Sequence, residues 1–320
     1  MRVLKILFAV AACALLAAPV SAAYPEKPIR LIVPWAPGGS TDILARVAAD
    51  KLRQSLGQPV VVENRPGASG NVGSDMVSKA APDGYTILFG VMSTHVMNGA
   101  LMSTMPFDGL RDFSPLGLLA YVTNTMVIHP SVPANSVAEF VAYLKANPGK
   151  VAYASAGPGS PNHLSAVLFE RIAAVTMLHV PYRGGAPAVV DTVAGQTQLL
   201  FTAGTQSLPH VKDNRLRLLG VTEAKRSSLM PQVPTVAETL PGYEMAVYYG
   251  AWGPPGLPAE LVTRLNGEIN KAMMLPDVKQ RMADIGVEVA NVSPAEFGRM
   301  LAADADKWGK LIRELGIKGE

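Results

Sequence analysis

The amino-acid sequence predicts an α/β fold with mainly parallel sheets flanked by helices. Apolar, β-rich runs alternate with runs of helical periodicity along most of the chain, and loops rich in Gly, Pro and Ser separate them. Because neighbouring parallel strands need a crossover, which is usually a helix, this alternation is typical of parallel sheets. The 320 residues, 49% of them hydrophobic, are enough for two domains.

The strand–helix units follow one another in a regular order. In the first unit, the strand IRLIVPW leads through APGGS into a helix whose apolar residues are three or four positions apart. The further predicted strands are PVVVENR, YTILFG, KVAYASAG, MLHVPY, TQLLFTAG and LRLLGVT. Ser136 with Glu139 predicts a capping box, and Ser293 with Pro294 and Glu296 predicts the start of the last helix.

Two extended stretches, residues 116–128 and 243–252, are candidates for chain segments that cross between lobes. If they do, residues 24–125 and 245–320 form one discontinuous lobe, and residues 126–244 form a second lobe inserted into it.

Residues 1–23 have the pattern of a secretory signal peptide. Arg2 and Lys5 precede a short apolar stretch, and small residues end the segment. We therefore expect a mature chain that begins near Tyr24 and works outside the cytoplasm.

The charge and the cysteine count exclude several kinds of partner and site. The formal net charge of +3 falls to +1 when Arg2 and Lys5 leave with the signal peptide, so no nucleic-acid partner is expected. Cys13 is the only cysteine, and VAAC around it loosely matches a lipoprotein processing site, which is an alternative to plain cleavage. With Cys13 removed, the mature chain has no disulfide, thiol nucleophile or cysteine metal site.

Four glycine-rich loops at predicted strand–helix junctions form the candidate binding site. They cover residues 37–42, 67–71, 157–163 and 182–186. In a parallel α/β sheet, ligands collect beyond the carboxyl ends of the strands, where helix starts offer unpaired N–H groups and a partial positive charge. Glycine allows a tight turn, and it also lets a ligand approach the backbone closely. Each loop is therefore either a simple turn or part of an anion receptor. Four such loops, on two lobes that face each other, favour a receptor for one small anion.

Motifs for other chemistries are missing from the sequence. There is no Walker pattern, no G-x-G-x-x-G, no G-x-S-x-G and no H-E-x-x-H, and the five histidines are widely spaced. We therefore expect no metal, no cofactor and no enzyme activity. Ser160 with His163 is an example of a pair that a secreted hydrolase could use, although His163 could equally be a pocket wall or a helix cap. Arg183 either pairs with a ligand carboxylate or is an ordinary exposed arginine.

At these loops the sequence resembles the Bug family of periplasmic solute-binding proteins, the TctC-like receptors of tripartite tricarboxylate transporters. The matching stretches include YPEKPIRLIVPWAPGGSTDILAR, VVENRPGASGNVGSDMVSKAAPDGYTIL, YASAGPGSPNHLSAVLF, HVPYRGGAPAVVDTVAGQTQLLF and WGPPGLPAELVTRLN. They follow the family's order over nearly the whole mature chain. The resemblance implies a two-lobed type II periplasmic-binding-protein fold that closes on its ligand.

The resemblance also implies a small organic carboxylate as the ligand, gripped largely by backbone amides, small hydroxyls and ordered waters. Carried over by position, one half of the grip comprises Pro37, Gly38, Gly39, Ser40, Thr41 and Asp42, and the other comprises Tyr182, Gly184, Gly185 and Ala186. The residues expected to line the rest of the pocket are Ser155, Gly157, Ser160, His163, Asn64, Ser69 and Gly70.

The implied function is transport. The receptor, a monomer in the periplasm, is expected to deliver its ligand to a large membrane permease and a smaller membrane subunit. An alternative keeps the receptor but makes a sensor kinase its partner, and a secreted hydrolase is a further alternative from a different class.

Overall fold

The computed structural model describes residues 24–314 and 316–317, so the predicted signal peptide lies outside the described residues. The strands are β1 (Ile29–Val33), β2 (Val60–Asn64), β3 (Thr86–Val91), β4 (Ser114–Val122), β5 (Asn124–Ile128), β6 (Ala152–Ser155), β7 (Leu178–Pro181), β8 (Leu199–Ala203), β9 (Arg217–Val221), β10 (Val247–Gly253) and β11 (Val287–Val289).

The α-helices fill most of the intervals between the strands. They are α1 (Ser40–Leu56), α2 (Asn71–Ser78), α3 (Met92–Val96), α4 (Asn98–Leu101), α5 (Val137–Ala146), α6 (Pro161–Ala173), α7 (Gly185–Val193), α8 (Gly204–Lys212), α9 (Ala259–Met273), α10 (Pro276–Ala283) and α11 (Pro294–Glu314). Short 3₁₀ turns occupy Ala68–Gly70 and Val236–Glu238. Among the described residues, no helix is both long and apolar enough to cross a membrane.

The strands form two sheets, which confirms the predicted two-sheet α/β fold. The first has the order β11-β4-β10-β3-β1-β2, and the second has the order β7-β6-β8-β5-β9. The strand–helix–strand units are parallel as predicted: β1 pairs with β2 and β3, and β6 pairs with β7 and β8.

The expectation of mainly parallel sheets does not extend to the strands that connect the two sheets. The pairs β10–β3, β10–β4, β11–β4, β5–β8 and β5–β9 are antiparallel. A strand that enters a sheet directly from the other sheet needs no helical crossover, so nothing forces it to run parallel to its neighbours.

The chain passes between the sheets within the predicted crossing stretches. β4 ends in the first sheet at Val122 and β5 begins in the second sheet at Asn124, so only Thr123 separates them. The return runs from β9 of the second sheet to β10 of the first. The change of sheet lies slightly before the expected boundary between residues 125 and 126, which falls inside β5. The division of the chain into lobes stays a prediction.

One apolar core reaches both sheets. The part of the molecule around each sheet is called one half below. Phe89, Trp252 and Phe297 belong to the core on the side of the first sheet, and Phe169 and Phe201 belong to it on the side of the second. Burial of large apolar side chains in both sheets supplies the main stabilising term, and the described residues contain no cysteine that could form a disulfide.

Both predicted N-cap serines, Ser136 and Ser293, cap their helices. Ser136 accepts a hydrogen bond from the N–H of Glu139 at 3.1 Å, and Ser293 accepts one from Glu296 at 3.2 Å. The capping box at Ser136 is only half formed, because the Glu139 carboxylate accepts from the N–H of Asn135 instead of Ser136.

Candidate functional site

An inner cavity of about 40 Å³ lies where the two sheets face each other. Three helices begin at its wall: Ser40 and Thr41 start α1, Pro161 and Asn162 start α6, and Gly185 starts α7. The first N–H groups of each helix have no intrahelical partner and carry a partial positive charge. The remaining residues of the wall are Trp35, Gly39, Val91, Asn124, Ala156, Thr202, Ala203, Gln206, Val247 and Tyr249.

None of the described residues in this wall carries a charge. An anion here would be held by N–H groups and hydroxyls, without a buried ion pair and the large desolvation cost of burying a second charge. Such a cavity suits a carboxylate.

An outer cavity of about 790 Å³ adjoins the inner one, and Trp35 and Ala156 line both. Its remaining wall comes from both halves of the molecule: Pro66, Gly67, Ala68, Ser69, Asn71, Val72, Asp75, Met102, Ser103, Thr104 and Pro106 on one side, and Gly157, Pro158, Tyr182 and Arg183 on the other. This volume is typical of small-molecule sites.

The two halves touch directly around the inner cavity. The Thr205 hydroxyl donates to Ser40 Oγ at 2.7 Å, and Ser40 Oγ donates to Gln206 Oε1 at 3.2 Å. At the outer cavity, Ser69 Oγ donates to the carbonyl of Pro158. Hydroxyl groups of α1 and of the second glycine loop therefore bridge the cleft.

The first and fourth glycine loops lie against each other, and at Gly184 the approach leaves no room for a side chain. A Cβ at Gly184, where φ is +139°, would lie 2.9 Å from the Cβ of Ala36, and a Cβ at Gly38 would lie 3.8 Å from the Cβ of Ala186. Gly184 is therefore needed for its backbone conformation and for the close contact across the cleft.

Asp42 and Asn64 support the first loop from behind and line neither cavity. Asp42 accepts hydrogen bonds from the N–H of Gly38 (3.0 Å), from Arg46 Nε (2.9 Å) and from Asn64 Nδ2 (2.9 Å). Asn64 also donates to the carbonyl of Trp35 at 3.0 Å. Burial opposes ionisation of Asp42, but the hydrogen bonds from Arg46, Gly38 and Asn64 outweigh it and lower its pKa. In the structure Asp42 holds the first loop in position, and its predicted contribution to the anion grip stays a prediction.

Gly70 has a spacing role as well. A Cβ there would lie 2.6 Å from Thr94 Oγ1 and 3.3 Å from Cζ2 of Trp35, and its φ is +91°. The missing side chain makes room for the indole ring of Trp35, which lines both cavities.

Ser160 and His163 do not form the nucleophile–base pair that a hydrolase would need. Ser160 Oγ donates to the carbonyl of Gly157 at 2.6 Å and accepts from the N–H of His163, so it caps α6. His163 Nδ1 accepts from the N–H of Gly159 at 3.2 Å. Burial, together with the neighbouring His179, lowers the pKa of His163 to about 4. The ring of His163 lines neither cavity and instead contacts the third glycine loop, and its predicted place in the binding site stays a prediction.

Ser155 is also turned to the protein interior. Its Oγ shares a hydrogen bond of 2.7 Å with His179 Nε2 and accepts from the N–H of Gly157 at 3.1 Å. Both contacts fix the third glycine loop.

Seven of the predicted site residues line a cavity. They are Gly39, Ser40, Thr41 and Gly185 at the inner cavity, and Ser69, Gly157 and Tyr182 at the outer one. The other ten shape the loops or lie beside the cavities: Pro37, Gly38, Asp42, Asn64, Gly70, Ser155, Ser160, His163, Gly184 and Ala186.

Sequence reasoning missed several residues of the walls. Trp35 directly precedes the first glycine loop region in IRLIVPW, and Asn162 lies within the third loop, residues 157–163, but was not singled out. Their positions at a strand end and a helix start were available signals. Gln206 and Tyr249 reach the cavity through the order of the strands in the sheets, and no local pattern marks them. In the part of the chain that the structure describes, no group of His, Cys, Asp and Glu side chains could hold a metal ion.

Comparisons with known proteins agree with this arrangement. The model of the "Tripartite tricarboxylate transporter family receptor" family matches residues 44–317. The protein BugT of Bordetella pertussis is 36% identical over 320 residues, which cover 99% of this chain and 98% of BugT.

Two solved structures with a bound acid have the same fold. R. palustris Rpa4515 with adipate has 34% identity and a TM-score of 0.89, with 92% of this chain and 99% of that chain covered. MatC from Rhodopseudomonas palustris with bound malate has 28% identity and a TM-score of 0.86, with 90% and 100% covered.

Proposed function

We propose, from the premise that this chain belongs to the receptor family of the tripartite tricarboxylate transporters, that it captures a small organic carboxylate outside the cytoplasm and delivers it to a transporter. The observation that carries the proposal is the uncharged inner cavity, into which α1, α6 and α7 direct their N-termini. The periplasm is the proposed location, as the predicted signal peptide at residues 1–23 requires.

The inner cavity would bind one carboxylate of the ligand. The N–H groups at the starts of α1 and α7 come from opposite halves of the molecule, so a carboxylate between them joins the two halves. Hydrogen bonds from N–H groups to a charged acceptor contribute about 1.5–3 kcal/mol each. Ser40, Thr41 and Asn162 add neutral polar groups around the same position.

Closure of the two halves would turn binding into a signal for the transporter. The ligand, like the hydrogen bonds from Thr205 to Ser40 and from Ser40 to Gln206, bridges the cleft and favours the closed state. A permease that recognises the closed shape then distinguishes loaded from empty receptor. We propose a membrane permease with its smaller subunit as the partners, and a monomer as the receptor.

A thermal-shift panel tests the proposal. Dicarboxylates, acidic amino acids and aromatic acids are compared with the methyl ester or amide of each acid that binds. An acid present at about 100 times its Kd stabilises the folded state by roughly 2.7 kcal/mol, so the melting temperature rises, whereas the neutral derivative has no effect. The proposal fails if no carboxylate raises the melting temperature, or if the ester or amide raises it equally.

A further inference from the structure

Arg183 is a cationic residue in the wall of the outer cavity. It lies on the fourth glycine loop, lines the outer cavity and is exposed. Among the described residues, its guanidinium has no hydrogen-bond or ion-pair partner. Among the described residues of this wall, Asp75 is the only other charged one, and Lys79 Nζ lies 2.7 Å from its carboxylate and neutralises it. The outer cavity therefore presents a net positive charge, whereas the inner cavity presents none.

The loop places this cation close to the proposed carboxylate position. Gly185 lines the inner cavity and Arg183 lines the outer one, only two residues earlier. An extended chain advances at most about 3.6 Å per residue, so the two Cα atoms are no more than about 7 Å apart. A ligand could place one acid group at the start of α7 and extend past Trp35 and Ala156, which line both cavities. Its other end would then lie close enough to contact the guanidinium of Arg183.

The space and the lining between these two positions favour an apolar spacer. The inner cavity, at about 40 Å³, holds little more than a carboxylate and a water molecule. The outer cavity is about twenty times larger, and Val72, Met102 and Pro106 give it an apolar wall. An α-amino group next to the first carboxylate would find no acidic side chain in the inner wall, which disfavours amino acids.

We propose that Arg183 determines specificity by binding the second carboxylate of a dicarboxylate whose acid groups are separated by an apolar spacer. The first carboxylate occupies the inner cavity, so the inference rests on the proposed function. A guanidinium pairs with a carboxylate through two parallel hydrogen bonds. Because Arg183 is exposed, the pair adds moderate affinity and is weakened by salt.

Calorimetric titration of adipate and hexanoate tests this inference. The two acids have the same carbon chain, and only adipate carries the second carboxylate. We expect Arg183→Gln to weaken adipate binding about two- to fivefold and to leave hexanoate binding unchanged. Arg183→Lys should retain part of the preference for adipate. Higher ionic strength should reduce this preference in the wild type and in Arg183→Lys, and should have no such effect in Arg183→Gln. Arg281→Gln is the control, because it removes the same charge from an exposed residue that lines neither cavity. It should leave the affinities for adipate and hexanoate unchanged.

The possible outcomes separate the two proposals. If wild type and Arg183→Gln bind adipate equally, or if wild type binds hexanoate as tightly as adipate, Arg183 has no such role while the receptor function stands. If neither these acids nor any other in the carboxylate panel binds the wild type, the receptor function itself is contradicted.

Discussion

Replacing Gly184 by valine is expected to weaken carboxylate binding by at least about 100-fold while both sheets stay folded. A Cβ at this position would lie 2.9 Å from the Cβ of Ala36 and 3.4 Å from its backbone nitrogen, and both atoms belong to the opposite half of the molecule. Closure would have to stop short of this contact, so one carboxylate could no longer reach both α1 and α7. The backbone of Gly184, with φ +139° and ψ 171°, lies in a region that is essentially restricted to glycine and adds about 1–3 kcal/mol of strain.

Gly242→Val is the matched control for this substitution. Gly242 also has a positive φ, +89°, but a Cβ there would meet nothing within 4 Å. Both variants should lose some thermal stability through backbone strain, and only Gly184→Val should lose affinity in calorimetric titration. Wild-type affinity in Gly184→Val would show that the two loops need not approach each other for binding.

Replacing Glu223 by glutamine is expected to stabilise the protein, and more so at pH 8 than at pH 5. Glu223 lies beside the first crossing between the sheets, where its Oε1 accepts from the N–H of Asn124 at 2.7 Å and its Oε2 is buried without a partner among the described residues. Burial raises the pKa of Glu223 to about 7, although hydrogen bonds from the backbone of Asn124, Glu223 and Thr222 oppose the shift.

The sign of the pH effect follows from proton binding. The folded state holds this proton more tightly than the unfolded state, where the pKa is close to 4.5, so stability falls between pH 4.5 and about 7 as the pH rises. Above pH 7 the penalty is constant, on the order of 3 kcal/mol. Glutamine keeps an acceptor for Asn124 and carries no charge, so it avoids the penalty.

Urea unfolding at the two pH values measures this effect. The gain in the free energy of unfolding from Glu223→Gln should be about 2–3 kcal/mol larger at pH 8 than at pH 5. Glu260→Gln removes the same charge from an exposed position on α9 and should give the same small change at both pH values. An equal effect of Glu223→Gln at both pH values would mean that the carboxyl is not destabilised by burial.

The strand–helix junctions that border the inner cavity could be predicted from the sequence because their signals are local. The cluster of Gly39, Ser40 and Thr41 stands directly between an apolar strand and a helical pattern, and this junction alone places N–H groups at a sheet edge. The same reasoning applies to Gly185. The parallel units followed from the alternation of strands and helices, whereas the antiparallel pairs of β4, β5 and β10 depend on how the chain crosses between the sheets.

The direction of individual side chains could not be predicted in this way. Asp42 lies in the first turn of α1, next to Ser40 and Thr41, yet its carboxylate turns back to the N–H of Gly38 and to Arg46. Gln206 and Tyr249 reach the cavity because β8 and β10 take central places in their sheets, which depends on tertiary packing.

A crystal structure with a bound acid from the thermal-shift panel tests the central claim most directly. We expect one carboxylate of the ligand in the inner cavity, with main-chain N–H groups of the first turns of α1 and α7 about 2.7–3.2 Å from its oxygens and no lysine or arginine in contact with it. A ligand bound outside the cleft, or one whose buried carboxylate is held chiefly by cationic side chains, would contradict the account.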